Sequence, residues 1–428
     1  MMRMHAIPTK RTLGLYVLAA ALLLGSVEAK ADAVLDWNEI AVNTAIANGQ
    51  NPFAQARYGA IVQLAVFEAV NTITGDYRPY LGTIVAPHGA SPDAAAIQAA
   101  YRVLSTYFPA SAATLGAARA KSLASIPDGQ AKTDGIATGD SAANAMIALR
   151  ANDGSSPAQF KIPGPPVPGE YQATPSCPVV NGLAVGILFQ WQNVTPFGIK
   201  RASDFLLDPP PALKSNEYAK TYNEVMTVGG VDSTERPQDR ADAVHFYAVS
   251  GPNLVFGEAL RQIAQQQQRS MSENARALAL LSMAINDSLV ASFFNKYHYN
   301  LWRPETAIHA GETDGNPRTE ADPNYVPFIT TPCFPSYPSN HGSAANAAAE
   351  VLRRIYGEAA HSITLTNPTV PSIVLQYTSF KQITDDISDA RVYGGIHFRT
   401  DQEAGADLGR AVGTAVYKNN LRPVHDDD

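Results

Sequence analysis

The chain has 428 residues, 45% hydrophobic and 17% charged, with 39 acidic against 32 basic side chains and a formal net charge of −7. This is a globular composition that excludes long-range disorder, and an acidic chain lacks the basic footprint of a general nucleic-acid binder. Two cysteines, Cys177 and Cys333, are too few for a disulfide scaffold or a four-cysteine zinc site.

Residues 1–31 have the order of a secretory signal peptide. Arg3, Lys10 and Arg11 precede the apolar run Leu13–Leu24, and Ala29-Lys30-Ala31 supplies small residues at a cleavage site. Export to the periplasm or the extracellular space is therefore expected, with no stable membrane insertion after cleavage. The alternative, an uncleaved anchor, calls for a longer apolar run. In an oxidising compartment Cys177 and Cys333 either pair or remain two thiols.

Apolar residues at i, i+3 and i+4 predict helices over 36–48 and 57–73, and alanine-rich periodic segments predict two more over 92–107 and 111–124. Residues 155–213 carry Pro163, Pro165, Pro166, Pro168, Pro175, Pro178, Pro196 and Pro209 to Pro211, which prevent long helices. They read as one long ordered excursion that Trp191 and Phe197 can anchor. The apolar stretch Leu183–Phe189 argues against a flexible linker. Helical patterning resumes at 216–227, 236–249 and 254–268. Residues 273–296 are apolar nearly all round and so form a central helix. Further helices are expected near 341–356, 376–390 and 401–418. For the last, Thr400 and Glu403 suggest a capping box, with Ala404, Leu408, Ala411 and Ala415 as its buried stripe. The fold class is mainly α, a helix bundle, with residues 32–428 as a single domain.

Three clusters in the last third carry chemistry: Lys296 to Arg303-Pro304, Pro335 to His341, and Arg391 to His397 with Asp401. Lys296 and Arg303 are seven apart, two helical turns, and can project from one face, although Pro304 disfavours helix at Arg303. Ser339-Asn340-His341 precede an alanine-rich helix, whose free N–H groups and positive dipole end seat anions. Gly394-Gly395 permits a sharp turn. Asp401, four residues after His397, can hold that ring's other N–H and fix its tautomer. Together these residues describe a pocket for a tetrahedral oxyanion within a bundle over 273–418.

The constellation resembles the superfamily of vanadium-dependent haloperoxidases and type 2 phosphatidic-acid and acid phosphatases, whose signature is K-x6-RP, PSGH and SR-x5-H-x3-D. Here it stands as Lys296-x6-Arg303-Pro304, Pro338-Ser339-Asn340-His341 and Ala390-Arg391-x5-His397-x3-Asp401. Phe334 to Tyr337, Trp302 and the segments 57–73 and 191–197 are similar to exported bacterial haloperoxidase-like proteins. Asn340 replaces the family glycine, and its side chain either crowds the site or adds a donor. Ala390 replaces the serine.

The resemblance implies vanadate as cofactor, held by Lys296, Arg303, Arg391, Ser339 and Asn340, with His397 as the vanadium ligand and His341 relaying protons. Hydrogen peroxide and halide would be the small-molecule substrates and hypohalous acid the product, with Trp302 and Phe334 lining a halide site. In the alternative, a phosphomonoesterase, a phosphate ester would be the substrate, His397 would form a phosphohistidine and His341 would protonate the leaving group. The length of the N-terminal half and the excursion favour the haloperoxidase. Tyr297, His298 and Tyr299 are supporting candidates, and His88, His245, His309 and His361 are taken as structural.

Overall fold

The computed structural model describes residues 32–424, so the expected signal peptide lies outside the described residues. The N-terminal half is built on α1 (Ala33–Ala47), α2 (Pro52–Thr74), α3 (Pro92–Tyr107), α4 (Ala112–Ala124) and α5 (Gln130–Arg150). The sequence reading missed α5, whose Gly135 and Gly139 weaken the helical pattern. Their purpose is close approach. A Cβ at Gly135 would lie 2.3 Å from the Ser91 carbonyl oxygen of the segment capping α3, and one at Gly139 2.4 Å from that of Ala95.

The proline-rich segment links α5 to the next helix. It contains only the short hairpin β1 (Val179–Val180) and β2 (Leu183–Ala184) and two 3-10 turns. Its order comes from tethers at several points. Cys177 is bonded to Cys333 across 156 residues. The Tyr171 amide donates to Asn300 and the Trp302 amide to Gly169, at 2.7 and 2.9 Å. Trp191 and Phe197 are buried. At the far end, buried Asp287 accepts the amides of Phe197, Gly198 and Ile199, and Asn295 bonds Leu207 and Phe205.

Helices α6 (Asn216–Gly229), α7 (Gln238–Val249) and α8 (Pro252–Gln266) lead to α9 (Met271–Tyr299). Helix α9 is the one described helix long and apolar enough to cross a membrane, yet 94% of its apolar window is buried, so it is the central core helix. A short α10 (Pro304–His309) follows. The C-terminal part is α11 (Asn340–Tyr356), the antiparallel pair β3 (Ala359–Leu365) and β4 (Leu375–Ser379), α12 (Phe380–Tyr393) and α13 (Arg399–Asn419). The helix expected from 376 starts only at Phe380, because 376–379 complete β4 with Ile363 paired to Tyr377. One hydrophobic core runs from Ala33 to Leu421, and a smaller one collects Tyr218, Tyr222, Trp302, Tyr337 and Phe398.

Two expectations for α13 are corrected. The helix begins before Thr400, so no cap forms there. Instead the Asp401 carboxylate accepts the Phe398 amide at 3.1 Å. The buried face is Gly405, Leu408, Gly409, Val412, Gly413 and Val416, while Ala411 is exposed. The glycines decide this. A Cβ at Gly409 would lie 2.2 Å from the Ser343 carbonyl oxygen, so α13 can lie against α11 only on that stripe.

Candidate active site

Lys296 and Arg303 do not share a helix face as the seven-residue spacing suggested. Helix α9 stops at Tyr299, Asn300 takes a left-handed cap with φ 51°, and Arg303 is extended at the start of α10. The turn carries Arg303 back over the last residues of α9, so both cations reach the loop before α11. Lys296 Nζ donates to the carbonyls of Pro335 and Ser336 at 2.7 and 2.8 Å. Arg303 donates through Nε to Phe334 O and through Nη1 to Ile396 O, both at 2.8 Å.

Ser339 is the N-cap of α11, its Oγ accepting the Gly342 amide at 3.1 Å, and its own amide donates to Asp401 O at 2.8 Å. Asn340 and His341 form the first turn of α11. Asn340 is helical, so the departure from glycine needs no left-handed backbone there. Its Oδ1 accepts from Ser292 Oγ at 2.6 Å, while Nδ2 is buried without a protein partner.

Arg391 stands near the end of α12. The turn after it depends on Gly395, whose φ is +78° and whose absent Cβ would lie 2.3 Å from Gly229 O. That turn returns the chain to His397 and α13. His397 Nδ1 donates to Asp401 Oδ2 at 2.8 Å, and Arg303 Nη1 lies 2.9 Å from His397 Nε2. Since arginine can only donate, the ring carries its proton on Nδ1 and its lone pair on Nε2, on the cation side. Ser336, which the sequence reading missed, donates to the same Asp401 oxygen at 2.5 Å.

The electrostatics are one-sided. Lys296 and Arg303 are fully buried and Arg391 is 5% exposed, and Asp401 is the one carboxylate that acts on Lys296 and Arg303. Burial, then Arg303, hold Lys296 well below the usual ammonium range. Burial lowers Arg303 to about 10 and, with Arg303 beside it, Arg391 to about 9, so both guanidinium groups stay charged at neutral pH. Burial and the neighbouring cations hold His341 and His397 well below the ordinary imidazole value, hence neutral. Burial pushes Asp401 up to about 6.

Three of the buried donor atoms on the two arginines, Arg303 Nη2 and Arg391 Nε and Nη1, have no protein partner. Excess buried positive charge with unpaired donors is costly unless an anion compensates it. Vanadate fits this donor set, and a bare metal cation does not.

Two openings flank these residues. Arg391 lines a wide cleft of about 730 Å³ with Glu305 and Thr331. Phe334, Asn340 and His341 line an apolar cavity of about 140 Å³. Trp302 is not on that wall. It packs in the smaller core with Tyr218 and Phe398. His298 is exposed, and the Tyr297 and Tyr299 hydroxyls bond carbonyls of the excursion. His309 and His361 bond backbone carbonyls, and His88 and His245 are exposed.

Residues 276–426 match the family described as the VCPO second helical-bundle domain. Vanadium chloroperoxidase of Curvularia inaequalis is 24% identical over 277 residues, covering 48% of this chain and 44% of that protein, so the match spans less than half the length of this curated relative. Among solved structures, the first bacterial vanadium-dependent iodoperoxidase superposes with a TM-score of 0.74 at 25% identity, covering 93% of this chain and 97% of that one. An apo-type bacterial vanadium-dependent chloroperoxidase gives 0.68 at 16% identity, covering 86% and 94%, a likeness of fold. The chain therefore has the helical vanadium haloperoxidase fold, and its residues 276–426 are similar to the second helical-bundle domain of that family.

Proposed function

We propose that the protein is a vanadate-dependent haloperoxidase that oxidises halide with hydrogen peroxide to hypohalous acid. The observation that carries this is the buried set of three cations around the unprotonated Nε2 of His397. Vanadate, when bound, would supply a Lewis acid that makes peroxide electrophilic.

The chain's residues do the rest. Lys296, Arg303 and Arg391 would neutralise the oxyanion's oxygens, with Ser339 and Asn340 as neutral donors at the N-terminus of α11. His397 would hold the vanadium through Nε2, because its Nδ1 proton is committed to Asp401. His341, neutral and on the wall of the apolar cavity, would accept a proton from peroxide and return it to the leaving oxygen. An exported location is supported by the Cys177–Cys333 disulfide, which persists in an oxidising compartment.

The alternative phosphomonoesterase would use the same lone pair on His397 to form a phosphohistidine. One assay pair separates the two. The protein with vanadate, peroxide and chloride, bromide or iodide should halogenate a phenolic dye, and His397→Ala should abolish this. Turnover of a chromogenic phosphate ester, with no halogenation in any halide, overturns the haloperoxidase reading.

A further inference from the structure

The disulfide lies next in sequence to the groups that aim two of the three cations. Cys333 is followed directly by Phe334, Pro335 and Ser336. The three successive carbonyls take the hydrogen bonds of Arg303 Nε and Lys296 Nζ at 2.8, 2.7 and 2.8 Å. The Phe334 ring also lies 5.1 Å from the Arg303 guanidinium and 5.3 Å from Lys296 Nζ. Hydrogen bonds are directional, so the placement of these carbonyls decides where the remaining donors of both side chains point.

The carbonyl row is held unevenly. Downstream, the Ser336 amide donates to Leu301 O at 2.9 Å, and α11 begins at Asn340. Upstream, Thr330 to Pro332 line the wide cleft, so that flank is open. The row is fixed there through Cys333, by its bond to Cys177 and by the Ile187 amide, which donates to the Cys333 carbonyl at 2.8 Å. Cys177 belongs to a segment with a second hold on the site. Gly169 and Tyr171 are hydrogen-bonded to Trp302 and Asn300, in the turn that delivers Arg303. Residues 169–177 thus grip both the turn that carries Arg303 and the loop that receives it.

We infer that the Cys177–Cys333 bond is a positioning element of the oxyanion site, fixing the carbonyls of Phe334, Pro335 and Ser336 and through them the geometry of Lys296 and Arg303. Neither hydrophobic core contains either cysteine, so the fold persists without the bond. The anion must then order the loop as it binds, and affinity falls by that cost. The inference rests on the oxyanion pocket of the proposed function and not on halogenation.

Sulfate is titrated by calorimetry into the vanadate-free protein, well below the melting transition of each variant. Cys177→Ala, alone and together with Cys333→Ala, should weaken sulfate by about 2- to 10-fold, the order of one hydrogen bond left unset. The pair of variants ensures that an unpaired thiol does not explain the result. Leu115→Ala, in α4 where it packs on α3, is the control for a general loss of stability and should bind within twofold of wild type. A dithiol reductant gives the wild type two electrons and two protons, leaving both cysteines as thiols and closing to its own disulfide. The reduced protein, verified by thiol titration, should bind as the variants do. It should recover when hydrogen peroxide re-forms the bond, two thiols and one peroxide giving the disulfide and two waters. Wild-type affinity in both variants overturns the inference, as does equal weakening by Leu115→Ala or no recovery on reoxidation. Failure of both cysteine variants to fold overturns it too, since the bond would then hold the fold and not the site. Absence of saturable sulfate binding in the wild type overturns the oxyanion reading itself.

Discussion

Asp401→Asn separates positioning of His397 from simple charge at the site. One Asp401 oxygen accepts from Ser336, His397 and Phe398 at 2.5, 2.8 and 3.1 Å. An amide oxygen in the same place keeps the three acceptor contacts and removes the negative charge. A hydrogen bond to a charged group contributes about 1.5–3 kcal/mol against about 0.5–1.5 for a neutral one, so His397 loses about 1–2 kcal/mol of support as a ligand. That is a loss of about 5- to 30-fold, overlapping the lower part of the roughly 10- to 100-fold range for residues that orient a metal's histidine.

Simple electrostatics has the opposite sign, because removing the carboxylate leaves the cations less compensated. Sulfate, which needs no histidine ligand, should bind as well or better. Folding should not suffer. Asp401 is raised from 3.8 to about 6, so its ionised form is disfavoured in the fold above pH 6, and a neutral amide relieves that. The assay is halogenation against vanadate concentration, beside the rise in melting temperature with sulfate. Vanadate-dependent activity within twofold of wild type in a folded variant refutes the positioning role. Loss of sulfate binding in parallel with vanadate refutes the separation.

Two further outcomes are expected. Burial and the neighbouring cations hold His341 below the ordinary imidazole value, and a bound dianion raises it again, so binding takes up a proton. The sulfate-induced rise in melting temperature should therefore shrink as pH rises from 6 to 9, with chloride at equal ionic strength as control; a constant shift contradicts this. Reducing Cys177–Cys333 opens a loop with a sequence separation of 156 residues, and should lower unfolding stability by about 2–5 kcal/mol. Equal urea midpoints for the oxidised and reduced protein would count against it.

The parts of the site legible in sequence were those whose chemistry is local. Ser339 caps α11, and Asp401, four residues after His397, binds its ring. What escaped depends on partners remote in sequence. Ser336 acts through Asp401, 65 residues on, and Ser292 fixes Asn340 across 48. Neither carries a spacing signal. Trp302 and Phe334 looked alike as aromatic neighbours of the motifs, but the turn at Asn300 sends Trp302 into the smaller core. Helix α5 was missed because Gly135 and Gly139 weaken its pattern, and the buried face of α13 was misread. Alanine content was taken to mark the packing face, whereas glycine marks it where two backbones touch. The strand pair β3 and β4 was missed because its alternation is short and interrupted by a register shift.

The glycine stripe of α13 acts as a gauge block for the reaction centre. Asp401 and His341 sit in the first turns of α13 and α11, the two helices the stripe holds in contact, and Ser339 is hydrogen-bonded to Asp401 across the gap. A methyl group at position 409 would push the two helices apart a full two turns below the site. The carboxylate that orients one histidine would then shift against the helix that carries the other. The spacing between His341 and His397 is thus written into glycines two turns away, and a conservative-looking glycine-to-alanine change would be felt there as a change of geometry between the two rings.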